Sequence, residues 1–227
     1  MKKTVIIIII IIIIIAGILI VFYAFAKVNS MQVEKAFVKI NERSQELLQD
    51  GDIIFQTSQS RQCEAIKIAT NSKFSHCGII YEIKGEKYVY EAVQPVKITP
   101  LMEWISHGKG NCYLVKRLKN ANTLLKADIL EKMKTYGSQF KNKDYDLYFE
   151  WSDDKIYCSE LVWKIYKNGA NIELCKLERL KNFNLNNPKV KEILTERYGN
   201  KIPLEEQVVA PSQLVDSPIL ETVIDTY

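Results

Sequence analysis

The chain has 227 residues, five cysteines, only two histidines and a formal net charge of +4, to which Lys2 and Lys3 both contribute. So small a positive excess argues against a nucleic acid as the partner. The cysteines are irregularly spaced, with no C-x-x-C pair and no paired histidines, which argues against a structural zinc site. Their odd number leaves at least one thiol unpaired within the chain.

The first segment, residues 1–26, is strongly apolar after its two lysines, and residues 5–26 carry no charge. As a helix this stretch would be about 33 Å long, which is enough to span a bilayer. It predicts either a retained membrane anchor or a signal peptide, since Ala24-Phe25-Ala26 fits a small-x-small cleavage site. The run exceeds the usual length of a signal-peptide core, which favours the anchor. Either interpretation places the rest of the chain outside the cytoplasm, in the cell envelope.

Residues 27–50 predict a helical lead-in, and residues 51–227 are long enough for one domain with its own core. β-rich runs between turn residues predict strands, and periodic apolar residues next to capping residues predict helices. The predicted strands are residues 51–57, two runs within 75–93 that flank the turn sequence KGEK, 111–118 and 206–211. The predicted helices are residues 60–72, 99–108, 122–139, 158–169 and 188–199. Such segregated helices and antiparallel strands are typical of the α+β class.

One thiol stands at a chemically favourable position. Cys158, Leu161, Val162 and Ile165 have the spacing of one helix face, and Cys158 is its first member. The first turn of a helix carries partial positive charge and unpaired backbone N–H groups, which favour a thiolate and can hold an oxyanion. The plainer interpretation is a buried cysteine that only fills space.

Two histidines are available as a base for this thiol. His76 stands at the mouth of a predicted strand, whereas His107 lies beside Gly108 at the end of a short helix, where a capping histidine is ordinary. His76 is therefore the better candidate. Glu91, on the returning strand, would orient the imidazole or, alternatively, form only a structural salt bridge. A tight Gly-Glu turn would place Glu91 opposite Ile80, about four residues along the strand from His76.

Four longer motifs add a family resemblance. GDIIFQTS, FSHCGIIY, YVYEAVQPV and YDLYFEWSDDKIYCSELVWKIY closely resemble the YiiX/YaeF-like permuted papain-like amidases, which are relatives of the NlpC-type cysteine peptidases. The similarity extends over residues 50 to 220, and the histidine precedes the cysteine as it does in that family. The resemblance implies a permuted papain-like fold, in which a small antiparallel sheet packs against the cysteine-bearing helix.

The resemblance also implies roles for individual residues. Cys158 would be the nucleophile, His76 the general base and acid, and Glu91 the orienting acid. Tyr157 and Tyr145 are weaker candidates for the oxyanion site. The implied reaction is hydrolysis of an amide through a thioester, with neither a metal nor an organic cofactor. The substrate would be a cell-wall peptide or an acyl amide. The sequence specifies no oligomeric state.

Two other functions stay open beside amide hydrolysis. The same thiol and imidazole would serve a lipid acyltransferase or thioesterase, and the third possibility is a binding module without chemistry. The shape of the site discriminates between substrates. A wide polar groove favours a peptide, and a narrow apolar tunnel, lined by Trp104, Trp151 or Trp163, favours an acyl chain. Each tryptophan has the plainer alternative of a place in the core.

Overall fold

The computed structural model describes residues 22–23, 25, 27–28 and 45–227. The chain divides into two units, Met1–Leu47 and Leu48–Tyr227, and the second carries the elements below. The predicted anchor, including residues 5–26, and the predicted lead-in, residues 27–50, lie largely outside the described residues. Within the described part of the chain, no helix combines the length and apolar character needed to cross a membrane.

A six-stranded antiparallel sheet forms the centre of the second unit, with the strand order β4-β3-β2-β1-β5-β8. Strands β6 and β7 form a separate two-stranded sheet. The strands are β1 (Ile53–Gln56), β2 (His76–Ile83), β3 (Glu86–Glu91), β4 (Lys97–Pro100), β5 (Tyr113–Leu118), β6 (Glu178–Arg179), β7 (Gln207–Val208) and β8 (Leu220–Asp225).

Two helices begin at side chains that cap their first turns. The Ser60 side chain accepts a hydrogen bond from the Cys63 amide, and Asn187 caps a helix whose first residue is Pro188. The helices are α1 (Arg61–Thr70), α2 (Leu101–Ser106), α3 (Ala121–Leu124), α4 (Ala127–Ser138), α5 (Cys158–Lys164), α6 (Pro188–Tyr198) and α7 (Pro211–Val215). A π-helical turn, Ile165–Gly169, continues α5.

Several predicted elements differ from the structure at their bounds; the strand predicted over residues 206–211, for example, is only Gln207–Val208, and two other differences are described here. The single helix predicted over residues 122–139 is two helices, α3 and α4, because Leu125 leaves the helical conformation with φ −101° and ψ 59°. The strand predicted from residue 111 begins at Tyr113, since Lys109–Asn111 form a 3₁₀ turn. Both differences arise at element ends, where short-range patterns are least specific.

The sheet is covered on both faces, which confirms the α+β class. One face packs against α5 and its π-helical turn, and its buried residues include Ile79, Leu161 and Ile165. The other face packs against α2 through residues such as Ile80 and Trp104. A third apolar cluster lies between α1 and α6. Helix α5 therefore begins next to the start of β2, where Cys158 and His76 lie.

Candidate active site

Cys158 is the first residue of α5 and is almost completely buried. The chain enters the helix in an extended conformation at Tyr157, whose carbonyl accepts the first helical hydrogen bond from Leu161. The amide of Tyr157 donates to Glu160 Oε2 over 3.4 Å, so this acidic side chain ties down the start of the helix. The sulfur therefore lies in the first turn, where the helix dipole favours its negative form.

Lys164 forms a buried ion pair within this helix and a second ion pair with an exposed acid of the preceding loop. Lys164 Nζ lies 2.8 Å from Glu160 Oε1 and 2.7 Å from Asp153 Oδ1. Burial raises the pKa of Glu160 to about 8, although Lys164 opposes that shift. The sequence analysis assigned no role to either residue, and an i,i+4 Glu–Lys pair is equally common on a helix surface.

His76 lies at the start of β2, close enough to Cys158 for each group to shift the pKa of the other. Its Nε2 lies 2.6 Å from Glu91 Oε2, which leaves Nδ1 for the sulfur. The ring also stacks on Trp104, with 5.8 Å between the ring centroids. The structure therefore brings the predicted thiol, imidazole and carboxylate together in one buried chain.

Glu91 reaches His76 through a hairpin register that differs from the predicted one. The turn is the two-residue pair Lys84-Gly85, with φ 53° and 84°, rather than Gly-Glu. Ile80 therefore pairs with Val89, and Glu91 falls one place beyond the Ile79–Tyr90 pair, opposite Gly78. The predicted position of Glu91 opposite Ile80 was wrong, and the separation from His76 along the strand is halved.

Gly78 is required by this close approach of β2 and β3. A Cβ at this position would lie 2.4 Å from Val89 Cγ1 and 3.3 Å from Glu91 Cβ. The absence of a side chain between His76 and Glu91 lets the two groups meet diagonally across the strands.

Glu91 is itself held by two further donors. Thr99 Oγ1 donates to its Oε1 over 2.6 Å, and Trp104 Nε1 donates to its Oε2 over 2.8 Å. Burial opposes ionisation of Glu91, but its hydrogen bonds and the charge of His76 lower its pKa. Thr99 and Trp104 were not predicted as partners of Glu91, since they come from β4 and α2 and no local pattern connects them to it.

The electrostatics of the site favour an ion pair of thiolate and imidazolium. A hydrogen bond from the Cys77 thiol, opposed by burial and reinforced by His76, lowers the pKa of Cys158 well below its usual value. Burial disfavours the charged imidazole, but the hydrogen bonds to Cys158 and Glu91 raise the pKa of His76 to about 10. Both shifts favour a negative sulfur and a positive ring over the neutral pair, and this ion pair is the reactive form of a cysteine nucleophile.

Cys77 is a neighbour of the sulfur that the sequence did not indicate. Its thiol and its backbone N–H both lower the pKa of Cys158. Burial raises the pKa of the Cys77 thiol well above its ordinary value, so it stays protonated and acts as a donor. Its position directly after His76 was the available signal. All five cysteines of the chain are free thiols in this structure.

The two tyrosines suggested for the oxyanion site have different environments. Tyr145 lines the same cavity as Cys158, and burial together with the negative charge of the sulfur raises the pKa of its hydroxyl well above the ordinary value. The hydroxyl of Tyr157 instead accepts from the Val209 amide over 3.1 Å, and its own amide is bound to Glu160. Tyr145 is therefore placed to stabilise charge next to the sulfur, whereas the polar groups of Tyr157 are committed elsewhere.

An apolar cavity opens beside Cys158 and encloses about 740 Å³, part of it open to solvent. Its walls come from α1, α6 and the segment around β7. Its apolar lining includes Ala65, Ile66, Ala69, Phe149, Leu185, Val190, Ile193, Leu194 and Val208. No tryptophan lines it, so of the two places considered for the tryptophans, a tunnel wall and the core, the tunnel wall does not apply to this cavity. Trp104 binds Glu91, and Trp151 packs edge-on against Trp163.

His107 lies outside this site. It follows the last residue of α2 as an exposed C-cap, where the sequence placed it. The structure thus separates the two histidines into one at the sulfur and one at the surface.

Two similar proteins come from Escherichia coli. The uncharacterized protein YiiX of strain K12 is 45% identical over 175 residues, which are 77% of this chain and 85% of that protein. The crystal structure of metalloprotein yiiX from strain O157:H7 (DUF1105) matches with a TM-score of 0.75 at 45% identity. The match covers 79% of this chain and 98% of that one.

The description of yiiX as a metalloprotein raises the question of a metal site in this chain. Among the described residues, no group of three or more His, Cys, Asp or Glu side chains is arranged to hold a metal ion. The described part of the chain therefore does not fit a metal centre of this kind, and the chemistry below is derived from its own side chains.

A family model described as "Permuted papain-like amidase enzyme, YaeF/YiiX, C92 family" matches residues 47–224. This match spans most of the chain and includes every residue of the buried site around Cys158. The α+β architecture with an antiparallel sheet agrees with it. The chain therefore belongs to the YaeF/YiiX, C92 family of permuted papain-like amidases, which are cysteine-type enzymes that act on amide bonds.

Proposed function

We propose that this amidase cleaves an N-acyl amide, with Cys158 as nucleophile, His76 as general acid and base, and Glu91 as the group that orients the imidazole. The observation that carries the proposal is the buried chain from sulfur to imidazole to carboxylate, which lies at the edge of an apolar cavity. These are the three roles that a cysteine acyl-transfer site requires.

The first half of the reaction forms a thioester. The thiolate of Cys158 attacks the carbonyl carbon, a C–S bond forms, and the carbonyl oxygen becomes negative. The Tyr145 hydroxyl and the backbone N–H groups of the first turn of α5 face this charge. The imidazolium of His76 then gives its proton to the amide nitrogen as the C–N bond breaks and the amine leaves.

The second half releases the acid. His76, now neutral, removes a proton from water, which attacks the thioester carbonyl. The C–S bond breaks, the thiolate returns, and the proton on His76 restores the ion pair. Glu91 stays ionised throughout and keeps Nδ1 of the ring directed at the sulfur.

The cavity favours an acyl chain over a peptide on the acyl side of the substrate. Its lining is almost wholly aliphatic or aromatic, and burying an alkyl chain there stabilises binding by about 0.8 kcal/mol per methylene. A polar peptide would leave its backbone groups without partners along these walls. The same observation supports the alternative of a thioesterase or lipid acyltransferase, in which a thioester or ester is cleaved or an alcohol replaces water.

A substrate panel tests this function with the full-length protein in a mild detergent. Acetyl, octanoyl and palmitoyl amides of one chromogenic amine would be compared with the matching thioesters and with a cell-wall peptide. We expect the long acyl amides to be hydrolysed and the Cys158→Ala variant to be inactive. Preference for thioesters, or transfer to added glycerol, would favour the alternative. Turnover of the peptide alone, or activity in Cys158→Ala, would contradict the proposal.

We further propose that the enzyme acts outside the cytoplasm and that residues 5–26 tether it to the membrane. The support is the uncharged apolar run that follows Lys2 and Lys3. A site next to lipid would also suit an acyl substrate. A C-terminal alkaline phosphatase fusion, which is active only after export, should be active and should sediment with membranes. Activity that is soluble after cell lysis would indicate cleavage of the segment, and an inactive fusion would contradict export.

A further inference from the structure

A chain of polar side chains crosses the cavity wall next to Cys158. Arg197 Nη2 donates to Gln62 Oε1 over 3.0 Å, and Gln62 Nε2 donates to the Tyr145 hydroxyl over 3.3 Å. All three residues line the cavity that contains Cys158. The other walls of the cavity are mostly apolar. The hydrogen-bonded side chains lead from Arg197 on α6, through Gln62 on α1, to Tyr145 beside Cys158.

The direction of these hydrogen bonds is fixed at the arginine. A guanidinium has only donors, so Gln62 must present its carbonyl oxygen to Arg197. Its NH₂ group then faces Tyr145, and the tyrosine oxygen must accept. The hydroxyl hydrogen of Tyr145 is consequently free to point toward Cys158, which lines the same cavity.

Both ends of the chain are held by packing. The guanidinium of Arg197 lies 5.5 Å over the ring of Phe149, which also lines the cavity. The backbone amide of Tyr145 donates to Gln94 Oε1 over 2.8 Å, and Tyr145 forms an isolated β-bridge with Ile156, two residues before Cys158. The hydroxyl of Tyr145 is thus placed by the same backbone that places the sulfur.

We propose that Gln62, oriented by Arg197, is a positioning residue that keeps the Tyr145 hydroxyl a donor toward the sulfur and, after attack, toward the oxyanion. The inference rests on the proposed acyl-transfer function for its second part only. The first part concerns the free enzyme, because a donor to the sulfur stabilises the thiolate before any substrate binds.

Gln62→Glu reverses the polarity of this chain without changing its size. The new carboxylate has no hydrogen to donate, so it accepts from both Arg197 and Tyr145. The tyrosine hydrogen then turns away from the sulfur. We expect kcat to fall by about 10²–10³-fold, as for the loss of one oxyanion donor. The kcat of Tyr145→Phe should fall by a similar factor. The double variant should have a kcat only slightly lower than that of either single variant, since both changes remove the same donor.

Gln59→Glu is the matched control. It adds the same negative charge to an exposed side chain just before α1 and should leave kcat close to that of the wild type. Arg197→Lys keeps a donor next to Gln62 and should retain most activity. Arg197→Met removes the donor that fixes the side-chain amide of Gln62, so this amide can rotate and part of the activity should be lost. Circular dichroism and thermal unfolding of each variant would establish that it is folded.

A second measurement needs no substrate. The rate of alkylation of Cys158 by iodoacetamide, followed by peptide mapping, reports the thiolate as a function of pH. The midpoint should move to higher pH in Gln62→Glu and in Tyr145→Phe, and should stay in place in Gln59→Glu. A wild-type protein that hydrolyses no acyl amide would remove the proposed function, yet this comparison would still decide the role of Gln62. If Gln62→Glu matches Gln59→Glu in alkylation and turnover, the inference is wrong.

Discussion

The two sides of Cys158 are built differently. On the sheet side, His76, Glu91, Thr99 and Trp104 form a buried network in which each group has a partner. On the opposite side, α1 and α6 enclose an apolar cavity that contains empty space. A filled polar network is rigid and sets charge, whereas an empty apolar cavity can accept a ligand. Under the proposed function, we expect the sheet side to provide reactivity and the helix side to select the substrate.

The largest effect should follow from removing the imidazole. His76→Ala leaves Cys158 without its proton partner, and kcat should fall by about 10²–10⁴-fold, the range for general acid–base catalysis. His107→Ala is the matched control, since this exposed histidine lies outside the site. Steady-state kinetics on the best substrate of the panel would measure both. Equal activity of the two variants would show that the sheet side does not provide reactivity.

Glu91→Gln should have the next largest effect. It replaces a charged acceptor by a neutral one, and a hydrogen bond to a charged group contributes about 1.5–3 kcal/mol, which corresponds to roughly 10- to 100-fold in kcat. KM should change little, because Glu91 lies on the far side of the ring from the cavity. The same substitution at the exposed Glu86, on the same strand, is the control. A change in KM without one in kcat would assign Glu91 to binding rather than to orientation.

Local sequence patterns predicted the helices and strands that carry the site, but they did not predict all the contacts between these elements. The apolar spacing after Cys158 placed it in the first turn of a helix, and the structure agrees. The hairpin register was wrong because the turn uses Lys84 with a positive φ, a conformation that a lysine seldom adopts and that a sequence pattern does not suggest. Because the turn is at Lys84-Gly85 and not at Gly85-Glu86, Glu91 lies opposite Gly78 instead of Ile80 and is within reach of His76.

The cavity is the part of the site that the sequence could not supply. Helices α1 and α6 were both predicted, but their packing joins residues far apart in the chain. Side chains such as Ala69 and Ile193 fit an ordinary core face equally well. Only the three-dimensional structure shows that space is left between them beside the sulfur, and that Gln62 and Arg197 meet across it.

A bulky substitution in the cavity should weaken the binding of long acyl substrates without changing the reactivity of Cys158. Ala69→Phe places a ring among the apolar walls and should exclude the end of a long acyl chain. Excluding two methylenes at about 0.8 kcal/mol each would raise KM for the palmitoyl amide roughly tenfold. KM for the acetyl amide and alkylation of Cys158 should not change. Ala127→Phe, on the exposed start of α4, is the matched control. An equal loss on acetyl and palmitoyl substrates would contradict an acyl-binding role for the cavity.

The smallest expected effect is a shift in the alkaline limb of the pH profile of kcat/KM. This shift does not alter the activity at neutral pH. Activity requires the thiolate and the imidazolium together, so it should fall at low pH as Cys158 is protonated and at high pH as His76 loses its proton. Since the pKa of His76 is raised to about 10, kcat/KM should stay level from neutral pH until it falls near that value. Glu91→Gln removes a negative charge that holds the proton on the ring, so its alkaline limb should lie at lower pH, whereas that of Glu86→Gln should not move. An alkaline limb of the wild type close to the ordinary histidine pKa would show that the thiolate and carboxylate do not stabilise the imidazolium. The sheet side would then not set the charge of the site, and the proposed difference between it and the cavity side would be wrong.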